Sequence, residues 1–398
     1  MKAIAIYAAC ITLMFWSCTK EKTDTVLNAQ SSNNATAITG KVIFPAGYQL
    51  YALDAATGSK LWQYNLYNNI LTGTGCIGNN IIYTVSAYPE TSLFANDAAT
   101  GALIWKDSLP HRGYTITSSP AIYKNTVYVN INFYMYAING TDGAIYWRKN
   151  FDTIDNDDKA IASSPTVVKG SVYCGGTSGM FCIDARSGNL KWKYATSVRV
   201  RSSPCVVNGA VYFTADNGDS YALDTTGNLI WKVTAESNAR SASSPTFHDG
   251  LVYNTIHVAP STTILRALNG SNGSIVWQQS RTIDNSVVAL TDYSDPSYAD
   301  GVIYSRNVST LYANDAVSGL QNWSSGLTYS PSDPKEQFRS LCATPKGVFT
   351  TDTSTWLYNF KASDGNEKWQ ALASGDISPF VVLDNGDVYY PSVSGMQQ

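Results

Sequence analysis

The chain has 398 residues and a formal net charge of -3, with 12% aromatic and only 14% charged residues. Its 26 tyrosines favour β-strands over helices, because aromatic side chains fit the pleated surface of a sheet. The small negative charge excludes the broad basic surface that displaces counterions from phosphate groups, so we expect no nucleic acid partner.

The first residues predict a lipoprotein signal peptide. Lys2 precedes an apolar run that ends at Trp16 and is too short to span a membrane comfortably. Ser17 and Cys18 then resemble the lipobox of bacterial lipoproteins, in which the cysteine is lipidated and becomes the mature N-terminus. We therefore predict a signal peptide over residues 1–17 and lipidation of Cys18. An ordinary secretory peptide or a membrane anchor is the alternative.

The segment that follows, residues 18–40, is polar and has no hydrophobic periodicity. Such a composition is typical of a flexible tether between an anchor and a folded body. The folded body is predicted to occupy residues 41–398.

One phrase recurs along the folded body. Residues 50–64 read LYALDAATGSKLWQY and residues 93–107 read LFANDAATGALIWKD, and further copies follow with drift. Self-similarity of this kind indicates a repeat architecture. The tryptophans that mark the eight copies are Trp62, Trp105, Trp147, Trp192, Trp231, Trp277, Trp323 and Trp369.

A second phrase alternates with the first. Its clearest copies read SSPAIYKNTVYV, SSPTVVKGSVYC, SSPCVVNGAVYF and SSPTFHDGLVYN, and weaker copies bring the count to eight. Together the two phrases give four short strands per unit, with turn pairs such as Asn-Gly and Asp-Gly between the first two. One such sheet cannot bury both faces, so the units must stack. The sequence therefore predicts an all-β, eight-bladed β-propeller of four-stranded antiparallel blades.

The order of the phrases predicts how the ring closes. The chain begins with a half that supplies third and fourth strands, residues 50–64, and ends with a half that supplies first and second strands, residues 378–390. The N- and C-terminal strands should therefore complete one blade together, which leaves no open edge in the ring.

The first phrase also has a local mechanism. Asp54 can accept hydrogen bonds from the amides of the turn that follows, and Gly58 supplies the positive φ that such a turn needs. Trp62 is large enough to pin one blade to the next. We interpret the eight tryptophans as structural blade-docking residues, with ligand-stacking platforms as the alternative.

The phrase AxDxxTGxxxW, found from Ala52 through Asp54 and Gly58 to Trp62, resembles the tryptophan-docking motif of the PQQ-like (quinoprotein-type) β-propellers. The resemblance covers nearly all of residues 41–398. It implies eight blades and two functional branches. One comprises PQQ-dependent alcohol and glucose dehydrogenases, and the other is the BamB-type lipoprotein subunit of the outer-membrane barrel assembly machine.

The residues that the dehydrogenase branch implies are not found. Those enzymes have an adjacent Cys-Cys pair beside the cofactor, a catalytic Asp and a calcium ion, whereas here no two cysteines are adjacent and no CxxCH haem signature occurs. His111, His248 and His257 show no metal-ligand spacing. We therefore expect no catalytic residues, no metal site, and neither PQQ nor calcium as a cofactor.

Two groups of cysteines are distinguished. Cys76, Cys205 and Cys342 share one position in the first strand of different units and are predicted as small buried residues. Cys174 and Cys182 flank one hairpin and could form a cross-strand disulfide, which an exported chain permits but cross-strand geometry often opposes.

The loops that join one unit to the next should all emerge on one face. They carry several arginines, which could form a basic collar around the central funnel and hold a carboxylate-rich ligand or an acidic partner. Solvated loop charges, offset by nearby aspartates, are the alternative. The proposed collar residues are Arg112, Arg199, Arg240 and Arg339.

One of these loops reads Val198-Arg199-Val200-Arg201 before Ser203-Pro204. It is similar to the loop through which BamB-type proteins contact the assembly barrel's periplasmic domain. The resemblance implies a partner-binding role for Val198, Val200 and Arg201, with exposed aliphatic side chains beside an arginine as interface anchor.

These observations favour a non-catalytic scaffold that binds protein partners through its inter-blade loops. We expect a monomeric propeller that takes part in outer-membrane β-barrel assembly. It is lipid-anchored to the outer membrane of the bacterial cell envelope, on the periplasmic face or at the cell surface. A PQQ-dependent dehydrogenase-like enzyme is one alternative. A surface propeller that binds glycan or peptide through aromatic-rich loops with Tyr114, Tyr293 and Tyr329 is another.

Overall fold

The computed structural model describes most of the chain from residue 40 to residue 389 and two residues before it. The predicted signal peptide, Cys18 and nearly all of the predicted tether lie outside the described residues. No helix in the described part has the length and apolar character to cross a membrane. The described ranges are 20–21, 40–67, 70–71, 75–88, 90–109, 118–131, 134–150, 163–241, 243–259, 261–282, 295–307, 310–326, 340–351, 356–373, 380–384 and 387–389.

Within these ranges the chain forms eight antiparallel sheets, here called blades 1 to 8. The strands of blades 1 to 4, in hydrogen-bonded order, are Val381–Asp384, Lys41–Ala46, Gln49–Asp54 and Lys60–Asn65; Cys76–Gly78, Ile81–Tyr88, Ser92–Asp97 and Leu103–Ser108; Ala121–Tyr123, Thr126–Ile131, Tyr134–Asn139 and Ile145–Asn150; Thr166–Val168, Ser171–Gly176, Gly179–Asp184 and Leu190–Ala195.

Blades 5 to 8 have the same plan. Their strands are Cys205–Val207, Ala210–Thr214, Ser220–Asp224 and Leu229–Val233; Thr246–His248, Leu251–Val258, Thr262–Asn269 and Ile275–Thr282; Ser297–Ala299, Val302–Arg306, Thr310–Asp315 and Gln321–Gly326; Ser340–Thr344, Gly347–Thr351, Trp356–Phe360 and Glu367–Leu372. Ile70–Leu71 and Ala239–Arg240 are short additional strands that pair with the second strands of blades 2 and 6. The predicted eight-bladed propeller is confirmed.

The position of a strand in its blade decides its burial. First strands of successive blades contact one another, so they line the central axis. Second and third strands are buried on both faces, because each blade packs between two neighbours. Fourth strands form the outer rim, and in most blades their burial alternates between exposed and half-buried residues. The core therefore consists of apolar layers between blades, such as the layer that joins Tyr128 and Met135 to Val172 and Phe181.

The ring closes in one blade, as predicted, but with a different division of strands. Blade 1 takes only its first strand, Val381–Asp384, from the C-terminal part of the chain. Its second strand is Lys41–Ala46, which pairs Ile43 with Val381 and Ala52. The expected division of two strands from each end is therefore wrong, and the division is three to one. The reason is that Lys41–Ala46 reads KVIFPA and lacks the Val-Tyr phrase that marks the other second strands.

The C-terminal phrase expected as a second strand has another position. Asp387–Tyr389 pairs with the opposite edge of Val381–Asp384, and Lys20–Glu21 pairs with Asp387–Tyr389 in turn. Because Val381–Asp384 is the innermost strand of blade 1, these two segments lie on its axial side.

The turn between third and fourth strands follows the predicted mechanism. In blade 1, Asp54 Oδ1 accepts hydrogen bonds from the backbone N–H groups of Ala56 and Thr57 at 3.0 and 2.8 Å. Gly58 has a φ of 72°. A Cβ at Gly58 would lie 2.7 Å from the indole of Trp369, so glycine is needed both for the turn and for the close approach of the neighbouring blade.

The motif tryptophans lie between blades. Each indole covers the turn glycine of the next blade, and in seven of them Nε1 donates a hydrogen bond of 2.8–3.2 Å to a backbone carbonyl in that turn. The contact closes the ring, since Trp369 of blade 8 bonds to blade 1. The donor and acceptor residues are Trp105 and Gly140, Trp147 and Ala185, Trp192 and Thr225, Trp231 and Gly270, Trp277 and Ala316, Trp323 and Ala362, and Trp369 and Ala55.

A second donor shares most of these carbonyls and was not predicted. The tyrosine of the Val-Tyr phrase directs its hydroxyl to the same oxygen that accepts the indole N–H. Five blade joints have this double contact, at 3.0–3.4 Å, through Tyr83, Tyr128, Tyr212, Tyr253 and Tyr304. In blade 8, where Phe349 replaces the tyrosine, Asn359 Nδ2 donates to the same carbonyl of Ala55.

The joint between blades 1 and 2 differs from the others. Trp62 covers Gly101, but its buried Nε1 has no acceptor among the described residues. Ile43 stands where other blades have the tyrosine, so the hydroxyl donor is missing too. Lys41 Nζ instead donates to Ala99 O at 3.0 Å. Burial lowers the pKa of Lys41, and the nearby Asp97 opposes that shift.

The SSP phrase connects the blades along the axis. The backbone N–H of its second serine donates to the side chain of the second serine in the next phrase, so successive phrases form a belt of hydrogen bonds from blade 3 to blade 7. The bonds run from Ser119 to Ser164, from Ser164 to Ser203, from Ser203 to Ser244, and from Ser244 to Asp295.

The two predictions about cysteines have different outcomes. Cys76, Cys205 and Cys342 are buried at equivalent positions of three first strands, opposite Tyr83, Tyr212 and Phe349. The possible disulfide between Cys174 and Cys182 is not formed. The register pairs Cys174 with Phe181 and Cys182 with Tyr173, so the two thiols lie on opposite faces of blade 4.

Candidate partner-binding site

The loops that could bind a partner lie on one face. In an antiparallel blade, the connection from second to third strand and the connection from the fourth strand to the next blade leave at the same end. We call this end the loop face. One hydrogen bond joins the two kinds of loop: Asp216 N donates to Arg199 O. Asp216 follows the second strand of blade 5, and Arg199 follows the fourth strand of blade 4.

The loop between blades 4 and 5 folds back onto blade 4. Val200 N donates to Gly176 O at 2.9 Å, and Val200 is completely buried against Gly175 and the core between the two blades. A Cβ at Gly175 would lie 2.3 Å from Val200 O, so the loop fits only over glycine. Val198 is half-buried on the same core. The expectation that Val200 is exposed is therefore wrong, and its side chain fixes the loop from beneath.

The two arginines of this loop share one carboxylate. Arg199 Nε lies 3.1 Å from Asp216 Oδ2, and Arg201 Nε lies 2.9 Å from Asp216 Oδ1. The Asp216 side chain is only 14% exposed, and Arg199 is the more exposed of the two arginines. One negative charge between two positive ones leaves a formal excess of +1. The contacts also hold both guanidinium groups in a fixed position, which favours recognition of an anionic group.

Asp216 was not among the predicted site residues, although it organises this part of the loop face. Its carboxylate holds Arg199 and Arg201, and its carbonyl accepts the backbone N–H of Ser241 at 3.1 Å. It therefore connects the loop before blade 5 with the loop before blade 6. The Ala-Asp-Asn-Gly-Asp turn at residues 215–219 is a signal for a tight acidic loop, but only the fold shows which arginines meet it.

Asp219, at the end of the same turn, ties the loop to the rim. Asp219 Oδ2 lies 2.9 Å from Lys232 Nζ, and Asp219 Oδ1 accepts the backbone N–H of Ala235 at 2.9 Å. Burial raises the pKa of the Asp219 carboxyl, but the bonds from Lys232, Ala235 and Asn217 outweigh burial and hold the pKa below its ordinary value. The carboxylate is therefore charged at neutral pH and keeps the 215–219 turn in place.

The proposed arginine collar is only partly within the described residues. Arg112 and Arg339 lie outside them, as do Tyr114, Tyr293 and Tyr329 of the aromatic-rich loops. Arg199 is paired with Asp216, whereas Arg240 is exposed and lies opposite His257. Burial lowers the pKa of His257, and the charge of Arg240 lowers it further. Of the two described collar residues, only Arg199 belongs to the cluster centred on Asp216.

The described residues lack two features of a quinoprotein centre. Within the described ranges, no group of histidine, cysteine, aspartate or glutamate side chains is placed to hold a metal ion. Cys76, Cys174, Cys182 and Cys342 are buried and form no disulfide with one another, and Cys174 and Cys182, which share blade 4, lie on its opposite faces. His248 stacks on Tyr298 with ring centroids 3.5 Å apart, at the face opposite the loop face, here called the turn face. Its Nδ1 lies 3.1 Å from Asp249 Oδ2 of the adjoining turn.

Similar solved structures include proteins of different kinds. The computationally designed protein Ika8 has a TM-score of 0.61 and 13% identity, over 81% of this chain and 96% of that chain. The quinohemoprotein alcohol dehydrogenase ADHIIG from Pseudomonas putida HK5 has a TM-score of 0.61 and 14% identity, over 82% and 75%. BamB from Moraxella catarrhalis has a TM-score of 0.46 and 14% identity, over 90% and 93%. At these identities the likeness to Ika8 and to ADHIIG concerns the fold alone.

A family model gives the more specific comparison. No curated protein sequence matches the chain. The model described as outer membrane protein assembly factor BamB matches residues 46–179 and, in a second overlapping match, residues 132–371. Together the matches span most of the propeller, from blade 1 into blade 8. The chain therefore belongs to the BamB-like family of PQQ-like β-propellers.

Proposed function

We propose that this protein is a non-catalytic scaffold of the bacterial cell envelope that holds protein partners on its loop face and acts in outer-membrane β-barrel assembly. The family match over residues 46–371 carries the proposal. In the same proposal, Cys18 is lipidated, the anchor holds the propeller at the outer membrane, and the propeller is a monomer. The closed ring supports the last point, since pairing of the chain ends leaves no blade incomplete.

The binding surface is the cluster of Arg199, Arg201 and Asp216 with Val198 beside it. The excess positive charge and the fixed guanidinium groups suit a carboxylate on the partner, and the half-buried Val198 offers an apolar contact next to it. Val200 supports the loop from below and makes no contact with the partner itself.

A PQQ-dependent enzyme is the competing hypothesis, because a quinohemoprotein dehydrogenase shares the fold. The described residues do not supply its cysteine pair or a metal site, so no catalytic step is assigned to this chain. Reduction of a dye by the purified protein with PQQ, calcium and an alcohol or sugar would favour that hypothesis over the scaffold.

Exchange of both loop arginines tests the binding surface. We expect Arg199→Gln with Arg201→Gln to lower the recovery of barrel-assembly components from solubilised envelopes by about tenfold or more, since buried charged contacts at an interface are frequent hot spots. Co-purification with quantitative mass spectrometry measures the effect. Arg186→Gln is the matched control, because Arg186 is exposed in a turn on the opposite face. Equal recovery with both variants would remove these arginines from the interface.

A further inference from the structure

One position departs from the repeat in a single blade. The third-strand residue that precedes the partner of the motif tryptophan is aromatic in seven blades and is arginine in blade 6. In blade 6 this residue is Arg266. In the other seven blades, in order, it is Tyr51, Phe94, Tyr136, Phe181, Tyr221, Tyr312 and Tyr358.

Arg266 is buried between blades 5 and 6. Only 2% of it is exposed, and its Nη2 donates to the carboxylate of Glu236, in the loop that precedes blade 6. Its Nε and Nη1 are buried and have no hydrogen-bond partner among the described residues. Buried N–H groups are almost always satisfied by protein atoms, by water or by a ligand. Two donor atoms of Arg266 are therefore available for an acceptor that the described contacts do not supply.

The residue opposite Arg266 is also polar. Asn254 pairs with Arg266 in register, is fully buried, and donates from Nδ2 to Ser220 Oγ of blade 5 at 2.7 Å. Its Oδ1 has no partner within the described residues. A half-turn of the amide would let Ser220 donate to Oδ1 and would present the amide N–H groups instead. The Arg266 side of blade 6 can thus direct guanidinium and amide donors towards one acceptor, while Ser220 orients the amide.

The fold does not need this arginine. An aromatic side chain fills the same position in every other blade, and exchange of a buried charge for a well-packed apolar group is often neutral or stabilising. Positions that break a repeat without structural gain are expected at functional sites. The present partner of Arg266 is a carboxylate, and Glu236 is 39% exposed, so that carboxylate stands between the buried guanidinium and solvent.

We propose that Arg266, with Asn254 and Ser220, forms a binding site for a small carboxylate ligand between blades 5 and 6, and that Glu236 covers the guanidinium when the ligand is absent. The ligand's two oxygens accept from the fork of the guanidinium, which matches a carboxylate in plane and spacing. Glu236 competes for the same group and moves towards solvent when the ligand binds. The site is separate from the cluster at Asp216 and does not depend on the proposed role in assembly.

Acetate and glycolate are suitable probes. We expect each to raise the Tm of the wild-type protein saturably, by roughly 2 °C or more, when compared with sodium chloride at equal ionic strength. Glu236→Gln should bind the probes roughly tenfold more tightly in isothermal titration calorimetry, because it removes the competing carboxylate. Arg266→Tyr restores the residue of the other blades and should fold with an equal or higher Tm but lose the response.

Three results would contradict the proposed carboxylate site at Arg266. One is the absence of a saturable response in both the wild-type protein and Glu236→Gln. Another is an unchanged response in Arg266→Tyr, which would place the effect elsewhere. The third is weaker binding by Glu236→Gln, which would make Glu236 a support and not a competitor. If Arg266→Tyr does not fold, Arg266→Gln serves as the uncharged variant and must also lose the response.

Discussion

Replacement of Trp147 by alanine should destabilise the propeller by about 3–5 kcal/mol. The indole is buried between blades 3 and 4, where it covers Gly188 and donates to Ala185 O, the carbonyl that also accepts the hydroxyl of Tyr128. The exchange removes a large apolar contact and leaves Gly188 uncovered. Chemical denaturation, followed by tryptophan fluorescence and circular dichroism, measures the loss.

The matched control is the neighbour on the same strand. Tyr146 is 58% exposed, so Tyr146→Ala should change the free energy of unfolding by less than about 1 kcal/mol. If the two variants lose similar stability, Trp147 does not pin the blades, and the structural interpretation of the eight tryptophans would fail.

Replacement of Val382 by aspartate should have the second large effect, a loss of about 4 kcal/mol or more. Val382 is completely buried in the strand that closes the ring, where it packs with Val42, Phe349 and Phe380. A carboxylate there must either lose its hydration without a partner or separate the first strand of blade 1 from Lys41–Ala46. Either outcome opens the strand pairing that closes blade 1 between Lys41–Ala46 and Val381–Asp384.

An exposed valine provides the control for this change. Val317 lies in a turn of blade 7 and is 68% exposed, so Val317→Asp should leave the Tm almost unchanged. Limited proteolysis adds a second readout, because an opened ring should expose the chain near residues 380–384. A Val382→Asp protein as stable as Val317→Asp would show that the pairing of Val381–Asp384 contributes little to closure.

The repeat pattern was sufficient to predict the architecture. Eight tryptophan phrases and eight first-strand phrases predict eight blades, because each phrase corresponds to a strand pair with its own turn. The Asp54 turn could be predicted for the same reason, since its hydrogen bonds are local in sequence. A sequence pattern that recurs in every repeat therefore indicates a contact that every blade makes.

Features that depend on one residue of register or on one blade were harder to predict. The register that pairs Ser171 with Asp184 also pairs Cys174 with Phe181. This register differs by one residue from the one that would pair Cys174 with Cys182, so the two thiols lie on opposite faces of the sheet. The strand Lys41–Ala46 lacks the phrase of its equivalents, so closure was divided wrongly. Val200 is buried only because Gly175 lets the loop fold onto blade 4.

The candidate sites show the same limit. Arg201 could be identified from a family resemblance and Arg199 from its place in an inter-blade loop, but Asp216, which orders them, comes from the 215–219 turn of blade 5. Arg266 was not identified, although its position could be compared across the eight phrases. A search for the residue that departs from a repeat would have found it, whereas the burial of its side chain and its contact with Glu236 needed the fold.

Site-specific crosslinking tests the central claim most directly. A photoreactive amino acid at position 199, on the loop face, and one at position 186, on the turn face, are introduced into otherwise unchanged protein and activated in intact cells. The account predicts that position 199 yields a covalent adduct with a barrel-assembly component, identified by mass spectrometry, and that position 186 does not. Absence of such adducts from position 199, or equal adducts from both positions, would contradict a scaffold that binds its assembly partner through the loop face.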